Sequence, residues 1–176
     1  MQIRVALLVN KSLSKVAKKL ANNFARLSKS FFTVDGKKLA HHITLFDIFP
    51  SKGKISRAAK IAENIIQKQP NLKLAVSNLW KSTSGKGYLG LKIKPSKQLL
   101  NFRTKLFKIL KNYHPQEVGE RYSPHITLTR YKDPSFADEV TVKNKIKGNY
   151  KFERVIFARV DVHGQVYKIL KQFHLS

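Results

Sequence analysis

The sequence predicts an α+β fold: one bilobal domain over residues 1–176, with two largely antiparallel sheets flanked by helices around a central cleft. Three observations predict it. Apolar stretches of helical period alternate with strand-like runs and hairpin turns. The tetrapeptide His-Ile-Thr-Leu occurs twice, at His42–Leu45 and at His125–Leu128. The elements that follow the two copies repeat in order, as an internal duplication would leave them.

Ile3 to Val9 is mostly apolar and reads as a strand buried on both faces. Leu13, Val16, Ala17, Leu20, Phe24 and Leu27 recur at three- and four-residue spacing, which predicts an amphipathic helix from about Ser12 to Ser28. Phe31 to Val34 with Asp35-Gly36 gives a short strand and turn before the first motif. A second helix spans Ser56 to Gln69, stopped by Pro70. Leu72 to Lys81 and Tyr88 to Lys94 read as a strand pair joined at Ser84-Gly85-Lys86-Gly87. Past Pro95, Leu99, Leu100, Phe102, Leu106, Phe107 and Leu110 mark the inner side of a third helix, which ends near Tyr113-His114-Pro115. After the second motif come a polar stretch (Pro134 to Lys147), a long strand (Tyr150 to His163), a turn at His163-Gly164-Gln165 and a closing strand (Val166 to Leu175).

Composition narrows the chemistry. No apolar run approaches the roughly 20 residues of a membrane span, so the chain reads as soluble, and Asn10-Lys11-Ser12 interrupts the first apolar run where a signal peptide would continue. The absence of cysteine excludes disulfides, thiolate metal sites and cysteine nucleophiles, and is compatible with a cytoplasmic location. Five Asp and five Glu, none paired near the motifs, disfavour a two-metal site. The net charge of +25, carried mainly by 27 Lys spread along the chain, favours a phosphate-bearing partner.

In a strand successive side chains alternate faces, so a His and the Thr two residues on stand together while the intervening Ile enters the core. Facing motif strands would gather His42, Thr44, His125 and Thr127 around one volume. Two imidazoles there can act as general base and general acid, two hydroxyls can donate to phosphate oxygens, and no metal is required. A zinc site of His41, His42 and His125 is set aside, because adjacent strand histidines diverge and no acidic or thiol ligand is near. His41 should face away from the motif side chains, and His114, His163 and His174 fall at turns or the tail. Phe46 and Tyr131 share strand parity with the motif histidines, and Tyr122 lies just before the second motif. All three are candidates for stacking on a base. Trp80 reads as core or edge packing.

The paired H-x-T-L motifs 83 residues apart, with Pro124 before the second His and Arg130 five residues after it, resemble the two-histidine (2H) phosphoesterase superfamily, nearest its RNA 2′,3′-cyclic phosphodiesterase or 2′-5′ RNA ligase-like branch. The resemblance spans essentially the whole chain, departing where Phe46-Asp47-Ile48-Phe49-Pro50 follows the first motif. It implies His42 and His125 as catalytic pair, with His125 as base and His42 as acid, Thr44 and Thr127 as phosphate-binding hydroxyls, and Arg130 as a phosphate contact. The activity it implies is hydrolysis of a 2′,3′-cyclic phosphate at an RNA end to a 2′-phosphate, by a monomer without a cofactor. Hydrolysis of 2′-5′-linked or cyclic oligonucleotides, reversible 2′-5′ ligation and RNA binding without turnover are the alternatives.

Overall fold

The structure is a computed structural model that describes residues 1–82, 85–117, 122–141 and 147–176. Its strands are β1 (Ile3–Leu8), β2 (Ser30–Thr33), β3 (His42–Ile48), β4 (Leu72–Lys81), β5 (Tyr88–Ile93), β6 (His125–Tyr131), β7 (Gly148–Phe152), β8 (Arg154–Val160) and β9 (Val166–His174). The helices are α1 (Lys11–Ala25), α2 (Ile55–Gln67), α3 (Lys97–Ile109) and the short α4 (Ser135–Glu139). Asn10 and Ser96 cap α1 and α3 by accepting from the backbone N–H three residues on, as short polar side chains do at helix starts.

All nine strands join one antiparallel sheet in the order β7-β4-β5-β6-β3-β1-β8-β9, with β2 also on β6. The two expected sheets are thus halves of one, and a single residue pair, Ile43 opposite Ile126, joins them. The halves are not contiguous in sequence. The β4–β5 hairpin that follows the first motif pairs with the second motif strand, and β8 and β9 return to β1 beside the first. The expected long strand Tyr150–His163 therefore breaks at Glu153 into β7 and β8, which lie at opposite ends of the order. Consecutive residues can serve both ends only because the sheet curls into a half-barrel.

Helices cover the outer face: α1 packs on β6 and β2, and α2 on β9 and α3. Ile3, Val5 and Leu7 of β1, Ile43 and Phe46 of β3, and Leu89 and Leu91 of β5 point into this core. In the stretch expected to be polar after the second motif, α4 forms and buries Ala137, while residues 142–146 and residue 84 of the 84–87 turn lie outside the described residues.

The halves are near copies down to irregularities. Thr44 sits opposite Ala6 on β1, and Thr127 opposite Gly90 on β5. Each motif strand then carries one unmatched residue at the fourth motif position, Leu45 and Leu128. Such bulges bend the strand and reset which face later side chains occupy. At Gly90 the neighbouring backbone comes so close that an added Cβ would lie 2.4 Å from the carbonyl oxygen of Ile126. Gly90→Ala should therefore lower stability by about 1–3 kcal/mol through overpacking. A thermal melt should show a Tm several degrees below wild type, and an unchanged Tm would contradict the close approach.

Candidate active site

The Ile43–Ile126 pair places the motifs. In an antiparallel register centred there, His42 stands level with Thr127 and Thr44 with His125, all on the inner face, while both Ile side chains enter the core. His42 and Thr127 are buried, and Thr44 and His125 keep some surface toward the cleft. Thr44, Leu45, Tyr122, Ser123 and His125 line a pocket at this point. A larger depression of about 410 Å3 lies away from the histidines, at the β4–β7 edge around Ala75–Ser77 and Lys147–Asn149, and carries no acid–base pair.

The two imidazoles are held alike. His42 Nδ1 lies 2.8 Å from the Ala40 carbonyl, and His125 Nδ1 lies 2.8 Å from the Ser123 carbonyl. A carbonyl only accepts, so each Nδ1 carries the hydrogen and each neutral ring offers its Nε2 lone pair elsewhere. Burial is the main cause that lowers the His42 pKa to about 3, with the Arg4 guanidinium adding to it. Burial likewise lowers His125 to about 4, against the opposing bond to Ser123. Charge on His125 also disfavours charge on His42, so the two are electrostatically coupled.

Their surroundings differ. Trp80 stacks flat on His125, ring centroids 3.5 Å apart and planes 3° from parallel. Trp80 lies on β4, with β5 between it and His125. The indole can reach because Gly90, its partner on β5, has no side chain. Beside His42 stands the buried Arg4, whose Nε and Nη2 donate to the two Asp47 carboxylate oxygens at 2.9 Å and whose Nη1 donates to the Gly164 carbonyl.

The other expected site residues divide. Tyr122 is in the pocket, its ring 4.3 Å beneath the Arg103 guanidinium, its hydroxyl buried without a hydrogen-bond partner among the described residues and its pKa raised by burial. Arg130 is on the inner face, its guanidinium 4.7 Å from the Phe31 ring and 5.0 Å from the Tyr88 ring. Its Nε donates to the Lys86 carbonyl at 3.0 Å, and its Nη1 to His163 Nδ1 at 3.4 Å. Phe46 and Tyr131 correct the parity argument: the Leu45 and Leu128 bulges turn both into the core. Phe46 meets Phe107 edge-on, and the Tyr131 hydroxyl donates to the Phe24 carbonyl at 2.9 Å.

His41 lies off the motif face, buried, with Nδ1 3.0 Å from the Ser14 hydroxyl and a pKa lowered to about 4 chiefly by burial. His163, expected as a turn residue without a role, closes one end of the cleft instead. Its turn is shaped by Asp161, whose carboxylate accepts from the His163 and Gln165 backbone N–H groups. From there its ring meets Phe31, Phe32 and Arg130, and its carbonyl accepts from the Tyr88 hydroxyl at 3.3 Å. Among the described residues no three His, Asp or Glu side chains gather as a metal site, and no helix is long and apolar enough to cross a membrane.

Residues 16–164 match the 2′-5′ RNA ligase superfamily. The chain belongs to that superfamily. Comparison with curated protein sequences finds no significant match. Among solved structures, E. coli LigT complexed with 3′-AMP superposes with a TM-score of 0.71 at 14% identity, covering 99% of this chain and 98% of LigT. TT0787 of Thermus thermophilus gives 0.71 at 13% identity over 99% and 97% of the two chains. The MHV ns2 PDE domain gives 0.61 at 10% over 99% of each. At such identities these three share the superfamily's fold with the present chain. That fold is a curled antiparallel sheet with helices outside, in keeping with the α+β expectation.

The buried histidines set an acid limit on stability. In the unfolded chain they titrate near 6.5, and in the folded protein His41, His42 and His125 titrate near 4, 3 and 4. Their contribution is complete above about pH 6.5 and declines as pH falls toward 4, because the unfolded state takes up protons first. Melting across pH 7.5 to 5, above the carboxylate range, should show a Tm that holds to about pH 6.5 and then falls. A flat profile there would contradict the burial of the pair.

Proposed function

We propose that the protein is a metal-independent phosphodiesterase that opens a 2′,3′-cyclic phosphate on a nucleoside or RNA end to leave a 2′-phosphate. The observation that carries this reading is the matched pair of imidazoles, each fixed through Nδ1 and each with no hydrogen bond at Nε2 among the described residues, beside two threonines. A water oxygen bonds to phosphorus while its proton passes to the Nε2 of the neutral imidazole. The bond from phosphorus to the 3′-oxygen breaks, and that oxygen takes a proton from the Nε2 of the other, protonated imidazole. Thr44 and Thr127 donate to the non-bridging oxygens, where charge gathers. After turnover the pair exchanges protons with solvent and the starting state returns. The superfamily's name and the structures of E. coli LigT with 3′-AMP and with phosphate support a nucleotide phosphate as ligand.

The surroundings favour His42 as base and His125 as acid, the reverse of the roles the resemblance implied. Burial, with the Arg4 cation adding to it, keeps His42 neutral; Arg4 opposes charge on His125 as well, but there the indole face of Trp80 attracts a cationic ring.

Purified enzyme assayed in EDTA on adenosine 2′,3′-cyclic phosphate tests the reading, and a requirement for divalent metal would overturn it. His42→Ala and His125→Ala should each lower kcat roughly 10²- to 10⁴-fold without loss of fold. Thr44→Val or Thr127→Val should cost about 1–3 kcal/mol of transition-state binding. On an aryl phosphodiester, whose leaving group needs no proton, the loss in His125→Ala should largely vanish while that in His42→Ala persists. Rescue of His42→Ala instead would restore the opposite roles.

A further inference from the structure

The equivalence of the two half-sheets shows where they have diverged. Arg4, Ala6 and Ile156 on β1 and β8 correspond to Tyr88, Gly90 and Trp80 on β5 and β4. In the first half the inner face is closed. The β9 strand carries unmatched residues at Tyr167 and Leu170, and the hairpin curls until Val166 is buried on Ala6, Ile156 and Ala158. Ala40 packs against the same cluster, its N–H bonded to the Val166 carbonyl at 2.8 Å. That side of the inner face is covered by the chain's own side chains.

In the second half the matching positions carry rings and a cation that remain partly open: Trp80, Tyr88 and Arg130. Phe31 adds to them. It is the residue of β2 left unmatched against β6, between Ser30 opposite Tyr131 and Phe32 opposite Arg130, and it is 48% exposed. A bulge re-aims the side chain it carries. Here the ring goes onto the Arg130 guanidinium, 5.7 Å from the His163 ring, with its other surface to solvent. The support beneath is fixed. Arg130 lies between Phe31 and Tyr88, bonded through Nε and Nη1, and Phe32 packs 6.0 Å from Tyr88 and 5.4 Å from His163. Arg130 stands three residues beyond Thr127, with one bulged residue between, so this platform is roughly 7–10 Å along the strand from the phosphate-binding threonine. That is the reach of a nucleotide from phosphate to base.

We propose that the outer face of Phe31, backed by Arg130, Tyr88 and His163, is a nucleobase-stacking site for the nucleoside whose ribose carries the phosphate. This rests on the function proposed above and adds the substrate's recognition element. One nucleoside is held, on the β4–β5–β6 side only. Every base offers a π-face, so recognition by stacking tolerates any base.

The test compares ligands with and without a base on wild type, Phe31→Ala and Phe31→Trp. For adenosine 2′,3′-cyclic phosphate, Phe31→Ala should raise KM about 5- to 100-fold with kcat unchanged, the range a single base–aromatic stack confers. Glycerol cyclic phosphate, which has no base, should be turned over equally by all three proteins, and Phe31→Trp should keep wild-type KM for the nucleotide. In parallel, titration of adenosine 2′-monophosphate and of inorganic phosphate, followed by calorimetry, should show the same loss for the nucleotide alone. An equal change for both ligand types, or no change for either, overturns the stacking site. If wild type turns over no cyclic phosphodiester, the function falls, yet the adenosine 2′-monophosphate titration still decides the stacking site.

Discussion

One backbone pairing, Ile43 opposite Ile126, joins the halves of the sheet, and the site depends on it. The pair occupies the second position of both motifs, so an approximate twofold axis through it exchanges His42 with His125 and Thr44 with Thr127. Slipping one motif strand by one residue would turn its His and Thr toward the helices and its isoleucine into the cleft. The core therefore fixes the geometry of the candidate site: Ile43 and Ile126 can be buried together only if the four polar side chains face the other way. Crossing connections reinforce the joint, since each half contains strands from both ends of the chain.

Much of this was legible because it follows from repetition and period. The repeated tetrapeptide gave the four polar groups and their common face, and three- and four-residue spacing gave α1, α2 and α3 close to their observed spans. The bulges were not legible. Leu45 and Leu128 are ordinary strand residues, and their unmatched state depends on partners about 40 residues away. Parity therefore placed Phe46 and Tyr131 in the cleft, whereas both are core. Trp80 and His163 were missed for a related reason. What matters at Trp80 is the bare Gly90 beside it, and what matters at His163 is the curl of a hairpin, and both are tertiary facts. One signal was present: the 83-residue offset that relates the histidines also relates Asp47 to Arg130, and both prove to face inward.

Duplication supplies symmetry, and divergence gives the cleft a direction. Asp47 holds the Arg4 guanidinium in place, whereas its counterpart Arg130 is a cation stacked on rings and open to a ligand. The half that carries Arg4 is sealed by Val166 and Ala40, and the half that carries Arg130 stays open. In the proposed reaction, a phosphate on the axis would meet near-identical His and Thr groups from both sides, with the substrate's remainder on one side only. The acid and the base can then take fixed roles although each can do the chemistry of the other.

The depressed pKa values of the two histidines would give the proposed mechanism its order. Near neutral pH the empty site holds two neutral imidazoles, which supply a base and no acid. Burial, the main cause, penalises the imidazolium, and among the described residues Asp47, the nearby carboxylate, is already held by Arg4. A phosphodiester brings one negative charge into the same volume and so favours uptake of one proton. A second proton would put two cations side by side against one anion, so uptake stops at one. Binding of substrate and creation of the acid are therefore one linked event. In the proposed function the net charge of +25 would act at longer range by drawing the anion in. The local charge that completes the catalytic pair belongs to the substrate.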